Sequence, residues 1–229
     1  MISTIKRNIN KRIALSGYNG FIFDFDGVIA DTEPLKELAY FQTIKKLYRI
    51  EIETCDKSWI GKSEKDVVNH FNEAYHLNIA SDKYAEVIEI KRQIYHQIIT
   101  DYSIDLIKGI QVFLHELQRQ KKRIAIASMS TANEINTILQ RKQLDSFINF
   151  IISKDDVAEP KPNPRIYSKA IEILKLDKSV CVVFEDSKSG LTAATNAGLE
   201  TILVKHAYNK DIFNDNGFEI SDFSEITVC

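Results

Sequence analysis

The feature that most constrains this chain is a series of short apolar runs, each followed by polar or turn residues. The strongest runs are Phe21–Phe25, Ile124–Ala127, Val180–Phe184 and Thr201–Val204, with a weaker one at Phe150–Ser153. Continuous apolar runs of this length predict strands buried on both faces. Between them lie helical patterns at Ile110–Gln120, Ala132–Arg141, Ile166–Leu174 and Ser187–Ala197. Pro164 suits a helix first turn and Gly198 a helix end. Strand–helix alternation predicts an α/β fold, a Rossmann-like parallel sheet with helices on both faces.

The alternation breaks once. From about Thr32 to Ser103 no strand pattern is visible, and helical patterns occupy Leu35–Leu47, Lys65–Tyr75 and Tyr84–Ile99. The expected organisation is a discontinuous catalytic core, 1–31 and 105–229, interrupted by a small helical domain at 32–104.

Hydrophobic residues make up 44% of the chain and charged residues 27%, ordinary for a globular protein with a sizeable core. The net charge of −2 offers no basic field for nucleic acid. No apolar run approaches the roughly 20 residues of a membrane span. Cys55, Cys181 and Cys229 lack metal-ligand spacing, and so sparse a set predicts a reducing, cytoplasmic setting. The basic leader with Lys6, Arg7, Lys11 and Arg12 reads as a solvated extension rather than a surface for a membrane or partner. The expected assembly is a monomer or weak dimer.

In open parallel sheets, ligands bind beyond the carboxyl ends of the strands. The first run ends in Asp24-Phe25-Asp26-Gly27 and the second in Ser128. Glu159-Pro160-Lys161-Pro162 follows the third, Glu185-Asp186 the fourth, and the less distinctive Lys205-His206 the fifth. Acidic, hydroxyl and basic groups gathered at one edge suit phosphoryl transfer, where catalysis is positioning and charge neutralisation. An ionised carboxylate such as Asp24 can attack phosphorus. A hard divalent cation, Mg2+, would offset carboxylate–phosphate repulsion, with carboxylates available from Asp24, Glu185 and Asp186. Ser128 and Lys161 can hold the phosphoryl group. Because the chain turns at Gly27, Asp26 is the candidate acid/base for the leaving oxygen. His70, His76, His96, His115 and His206 show no motif spacing and read as structural or surface residues, and Trp59 as part of the helical domain's core.

In this order the motifs resemble those of the haloacid dehalogenase superfamily. DFDGVIADTEP, IASMS, EPKPNPRIY and FEDSKSGLTAATNAG look like its four motifs. The resemblance implies Asp24 as nucleophile, Asp26 as acid/base, and Ser128 and Lys161 as phosphate-binding. It further implies Mg2+ held by Asp24, the Asp26 backbone carbonyl and Asp186, with Glu185. Asp24 and Ser128 are 104 positions apart but Ser128 and Lys161 only 33, similar to the subfamily with a helical cap after the first motif. That subfamily includes β-phosphoglucomutase and sugar-phosphate phosphatases. Asp26 argues against haloacid dehalogenation itself.

Departures concern the substrate. Lys36 stands where the β-phosphoglucomutase pattern has a His, and in Gly61-Lys62-Ser63-Glu64 the acidic Glu64 replaces an Arg that would grip a second phosphate. Lys108 and Arg165 replace a common Pro and a common acidic residue. Lys36 and Lys62 are the candidate substrate contacts. The expected function is a phosphatase for a small phosphorylated metabolite, such as a sugar phosphate. A phosphoglucomutase-type isomerase ranks second and an inactive binding scaffold last.

Overall fold

The computed structural model describes residues 5–7, 12–60, 62–215 and 217–228. Lys11, Gly61 and Cys229 lie outside the described residues. The main strands are β1 (Gly20–Phe23), β2 (Arg123–Ala127), β3 (Phe150–Ile152), β4 (Cys181–Glu185), β5 (Glu200–Val204) and β6 (Glu219–Ile220). The helices are α1 (Glu33–Tyr48), α2 (Glu64–Ala74), α3 (Tyr84–Asp101), α4 (Ile110–Arg119), α5 (Ala132–Arg141), α6 (Arg165–Leu174) and α7 (Lys188–Asn196). They form two compact units, Met1–Asp31 with Asp105–Cys229, and Thr32–Ile104.

In the α/β unit the six strands run parallel in the order β6-β5-β4-β1-β2-β3. Central β1 pairs with β2 and β4, setting Phe23 opposite both Ile126 and Phe184. Phe21, Ile22 and Phe23 are all fully buried, as a strand covered on both faces requires. Their side chains alternate between the two faces. One face carries an aromatic cluster: Phe23 stacks on Phe184 at 4.8 Å, and Phe113 of α4 meets Phe223 at 5.3 Å. The other packs Ile22, Ala125 and Val183 against Ile166, Tyr167 and Ala170 of α6 and Ala193 and Ala194 of α7. Burying each large apolar side chain contributes about 1.5–3 kcal/mol, so this sandwich supplies much of the unit's stability.

Three details differ from the pattern reading. The first strand stops at Phe23 rather than Phe25, because the backbone folds into a tight turn: the Phe25 carbonyl accepts from the Ile29 N–H at 2.9 Å, and Gly27 takes φ +71°. Strand β6 is two residues long, too short to show a period. The leader is no mere solvated extension: Ile13–Ala14 pairs in parallel with Ile226–Thr227, and Ile13 and Leu15 are buried.

In the helical unit, Pro34 occupies the first turn of α1, where its missing N–H costs nothing. Ser63 caps α2 by accepting from the Asp66 N–H at 3.2 Å. The core joins Tyr40, Ile44, Trp59, Val67, Phe71 and Val87, with Tyr40 stacked on Phe71 at 5.2 Å. Trp59 is a core residue, as its pattern suggested. No helix among the described residues is long and apolar enough to cross a membrane.

Candidate active site

The strand ends bring Asp24, Asp26, Ser128, Lys161, Glu185 and Asp186 to the same edge of the sheet. Asp24 directly follows β1, and its N–H donates to the Phe184 carbonyl at 2.9 Å, which locks its backbone to β4. Glu185 ends β4 and is wholly buried. Lys161, in the loop after β3, reaches Glu185 Oε1 at 2.5 Å and Asp24 Oδ1 at 3.0 Å. Its ammonium also lies 4.9 Å from the centre of the Tyr167 ring.

Glu185 has both oxygens occupied. Oε1 accepts from Lys161 and from the Tyr167 hydroxyl at 2.6 Å. Oε2 accepts from the N–H groups of Asp186 and Ser187 and from the Ser187 hydroxyl, at 3.0–3.1 Å. Burial alone would push this carboxyl up, but Lys161 and these donors bring it below the usual range. Burial would likewise lower Lys161, and Asp24 and Glu185 together hold it above the usual lysine range. Tyr167 is driven well up by burial and by Glu185, so its hydroxyl stays a donor.

Asp24 behaves differently. Burial pushes its carboxyl up to about 8; Lys161 opposes this, and Glu185, Asp186 and Asp26 reinforce it. Its Oδ1 is buried, at ion-pair distance from Lys161 but without a hydrogen bond of proper geometry. One carboxylate oxygen from each of Asp24, Glu185 and Asp186 falls within 4.8 Å of the others. An oxygen-only set with an orphaned buried acceptor and excess negative charge fits a hard divalent cation. Both Glu185 oxygens are taken up by donors, whereas Asp24 Oδ1 has none.

Asp26 stands apart from this cluster. Its Oδ2 accepts from the Ser130 hydroxyl at 2.5 Å, while its charge still acts on the Asp24 carboxyl. Ser128 is buried, and its Oγ accepts from the Ser130 N–H at 3.1 Å. Lys36 and Lys62 belong to the helical unit; Lys36 pairs with Glu33 at 2.9 Å, and Lys62 is exposed. Glu64, at the position of the missing Arg, is bound by Arg92 and lies 3.6 Å from Lys91.

Four residues escaped the sequence reading: Ser130, Tyr167, His206 and Asn209. His206, read from the sequence as structural or surface, has its Nε2 2.9 Å from Asp186 Oδ2. The one available signal was its place directly after the fifth apolar run.

A parallel sheet with carboxylates, a lysine and a hydroxyl on successive strand ends defines a class of hydrolytic α/β enzymes. The chain belongs to the haloacid dehalogenase-like hydrolases, whose family model matches residues 21–204. It is 30% identical over 190 residues to a phosphorylated carbohydrates phosphatase of Thermotoga maritima, covering 82% of this chain and 86% of that one. It is 28% identical over 218 residues to Protein CbbY of Rhodobacter capsulatus, covering 89% of this chain and 92% of that one. The crystal structure of CbbY from Rhodobacter sphaeroides in complex with phosphate shares the fold, with a TM-score of 0.79 and 24% identity over 91% of this chain and 96% of that one.

Proposed function

We propose that this chain is a magnesium-dependent phosphatase acting on a small phosphorylated metabolite, a sugar phosphate being the favoured class, through an aspartyl-phosphate on Asp24. The observation that carries this reading is the buried, unbonded Oδ1 of Asp24 among two further carboxylates and the Lys161 ammonium. Mg2+ held by Asp24, Asp186 and the Asp26 carbonyl would supply the positive charge that keeps Asp24 ionised and offsets its repulsion of the phosphate.

In this reading an Asp24 carboxylate oxygen forms a bond to phosphorus as the bond to the leaving oxygen breaks. Lys161 and Ser128 bind the transferring oxygens, whose negative charge they meet with an ammonium and a hydroxyl donor. Asp26, protonated, gives its proton to the leaving alkoxide. As a carboxylate it then takes a proton from the water that attacks the acyl phosphate, releasing inorganic phosphate and restoring both aspartates. The Ser130 hydroxyl on Asp26 Oδ2 sets the orientation of this acid. Lys36 and Lys62 are the proposed substrate-selecting groups of the helical unit.

Transfer to water is favoured over return to a sugar because the acidic Glu64 stands where the β-phosphoglucomutase pattern carries the arginine that would grip a second phosphate. The test is a panel of sugar phosphates and other small phosphate esters incubated with enzyme and Mg2+. Inorganic phosphate should appear with at least one ester and vanish with Asp24→Asn. Silence across the panel, or conversion of β-glucose 1-phosphate to glucose 6-phosphate without free phosphate, would overturn the reading.

A further inference from the structure

The loop after β5 reaches back to the motif-bearing loops after β1 and β4. His206 Nε2 lies 2.9 Å from Asp186 Oδ2. On the other side of the ring, Nδ1 accepts from the Tyr208 N–H at 3.2 Å. A nitrogen that accepts an amide proton carries none itself, so the ring proton is on Nε2 and is donated to Asp186.

The histidine's own backbone is pinned. Asn209 is buried; its Oδ1 accepts from the His206 N–H at 2.8 Å, while its Nδ2 donates to the carbonyls of Asp186 at 2.9 Å and Val204 at 2.8 Å. One amide thus ties the loop after β5 to the loop after β4. Gly27 closes the arrangement from the third side. A Cβ there would fall 2.2 Å from Asp186 Oδ2 and 2.9 Å from His206 Nε2. The glycine of the Asp24-Phe25-Asp26-Gly27 segment is therefore needed both for its φ of +71° and to admit this hydrogen bond.

We propose that His206 is a positioning residue: its Nε2–H, held by the Tyr208 amide and Asn209, fixes the plane of the Asp186 carboxylate for binding the divalent cation. This rests on the reading of Asp186 as a metal ligand. A hydrogen-bond partner that orients a ligand typically accounts for about 10–100-fold in metal affinity.

The experiment measures Mg2+ binding to the metal-free full chain by titration calorimetry, alongside the melting temperature in EDTA. His206→Ala should weaken Mg2+ binding about tenfold or more while its melting temperature in EDTA stays near that of wild type. A merely structural histidine would give the reverse. His206→Gln, whose amide can donate from nearly the Nε2 position, should recover most of the affinity. If His206→Ala does not fold, His206→Phe keeps a ring without the donor and should show the same loss. Wild-type affinity in the donor-free variant, with binding lost in Asp186→Asn, would overturn the role of His206 alone. Wild-type affinity in Asp186→Asn would remove Asp186 as a ligand and the proposal with it.

Discussion

Replacing Asp24 by Asn removes an ionisable group from the buried cluster with almost no change of shape. In the metal-free protein the Asp24 carboxyl has been pushed from 3.8 up to about 8, chiefly by burial. A shift of about four units corresponds to a ceiling of about 5–6 kcal/mol, at 1.36 kcal/mol per unit. Water entry and relaxation of the neighbouring carboxylates bring the expected effect to about 2–3 kcal/mol. The sign follows from linkage. Below pH 3.8 the group is protonated in both folded and unfolded chains and contributes no difference. Between 3.8 and about 8 the unfolded chain ionises while the folded one resists, so wild-type stability falls as pH rises and then levels off. Asn has no such penalty. In EDTA, Asp24→Asn should therefore melt higher than wild type, with a gap that widens from pH 5 to pH 8 and reaches about 6 °C for a chain of this size. Saturating Mg2+ should narrow or reverse the gap, since the variant loses a ligand charge. Calorimetry across pH 5–9 with and without Mg2+ measures both. A gap that is flat with pH, or a variant less stable than wild type in EDTA, would refute the buried-carboxylate argument.

Three further outcomes follow from neighbouring contacts. Lys161→Met strands the fully buried Glu185 carboxylate and should cost about 3–5 kcal/mol at pH 7 in urea unfolding. Tyr167→Phe deletes only the hydroxyl bonded to Glu185 and should cost about 1–2 kcal/mol while the fold is kept, read from the shift in urea midpoint. Gly27→Ala must place a methyl against Asp186 at a left-handed φ, and should lower Mg2+ affinity while leaving the far-ultraviolet dichroism unchanged.

The parts of the site that were legible in the sequence are those carried by local pattern. Phe21–Phe23, Ile124–Ala127 and Val182–Phe184 are apolar on both faces, so each announces a buried strand, and the polar residue that ends it announces the edge. Asp24, Ser128 and Glu185 were found that way. His206 was not, because its function depends on Gly27 and Asp186, some 180 and 20 positions away, and no local period encodes a hydrogen bond across loops. The same holds for Tyr167, which reads as an ordinary core aromatic of α6 until its hydroxyl is seen on Glu185. Glu185 itself was legible as an acid but not as one saturated by donors. The strands at Ile13–Ala14 and Glu219–Ile220 escaped because two residues carry no alternation, and their pairing is set by partners elsewhere in the chain.

The helical insertion leaves the α/β unit after Ala30–Asp31 and returns at Asp105–Leu106, and these two segments are hydrogen-bonded to each other, Ala30 opposite Leu106 and Asp31 opposite Asp105. A detour of some 70 residues thus begins and ends at one antiparallel clasp. Loop closure over such a length costs only slightly more than over a short one. To the sheet, the whole insertion is equivalent to a hairpin turn. Such a junction makes the segment exchangeable in evolution: a different helical module, or a two-residue turn, could be grafted at the clasp without disturbing the strand order that assembles the aspartates. The inserted unit can therefore change while the strand order of the α/β unit is inherited unchanged.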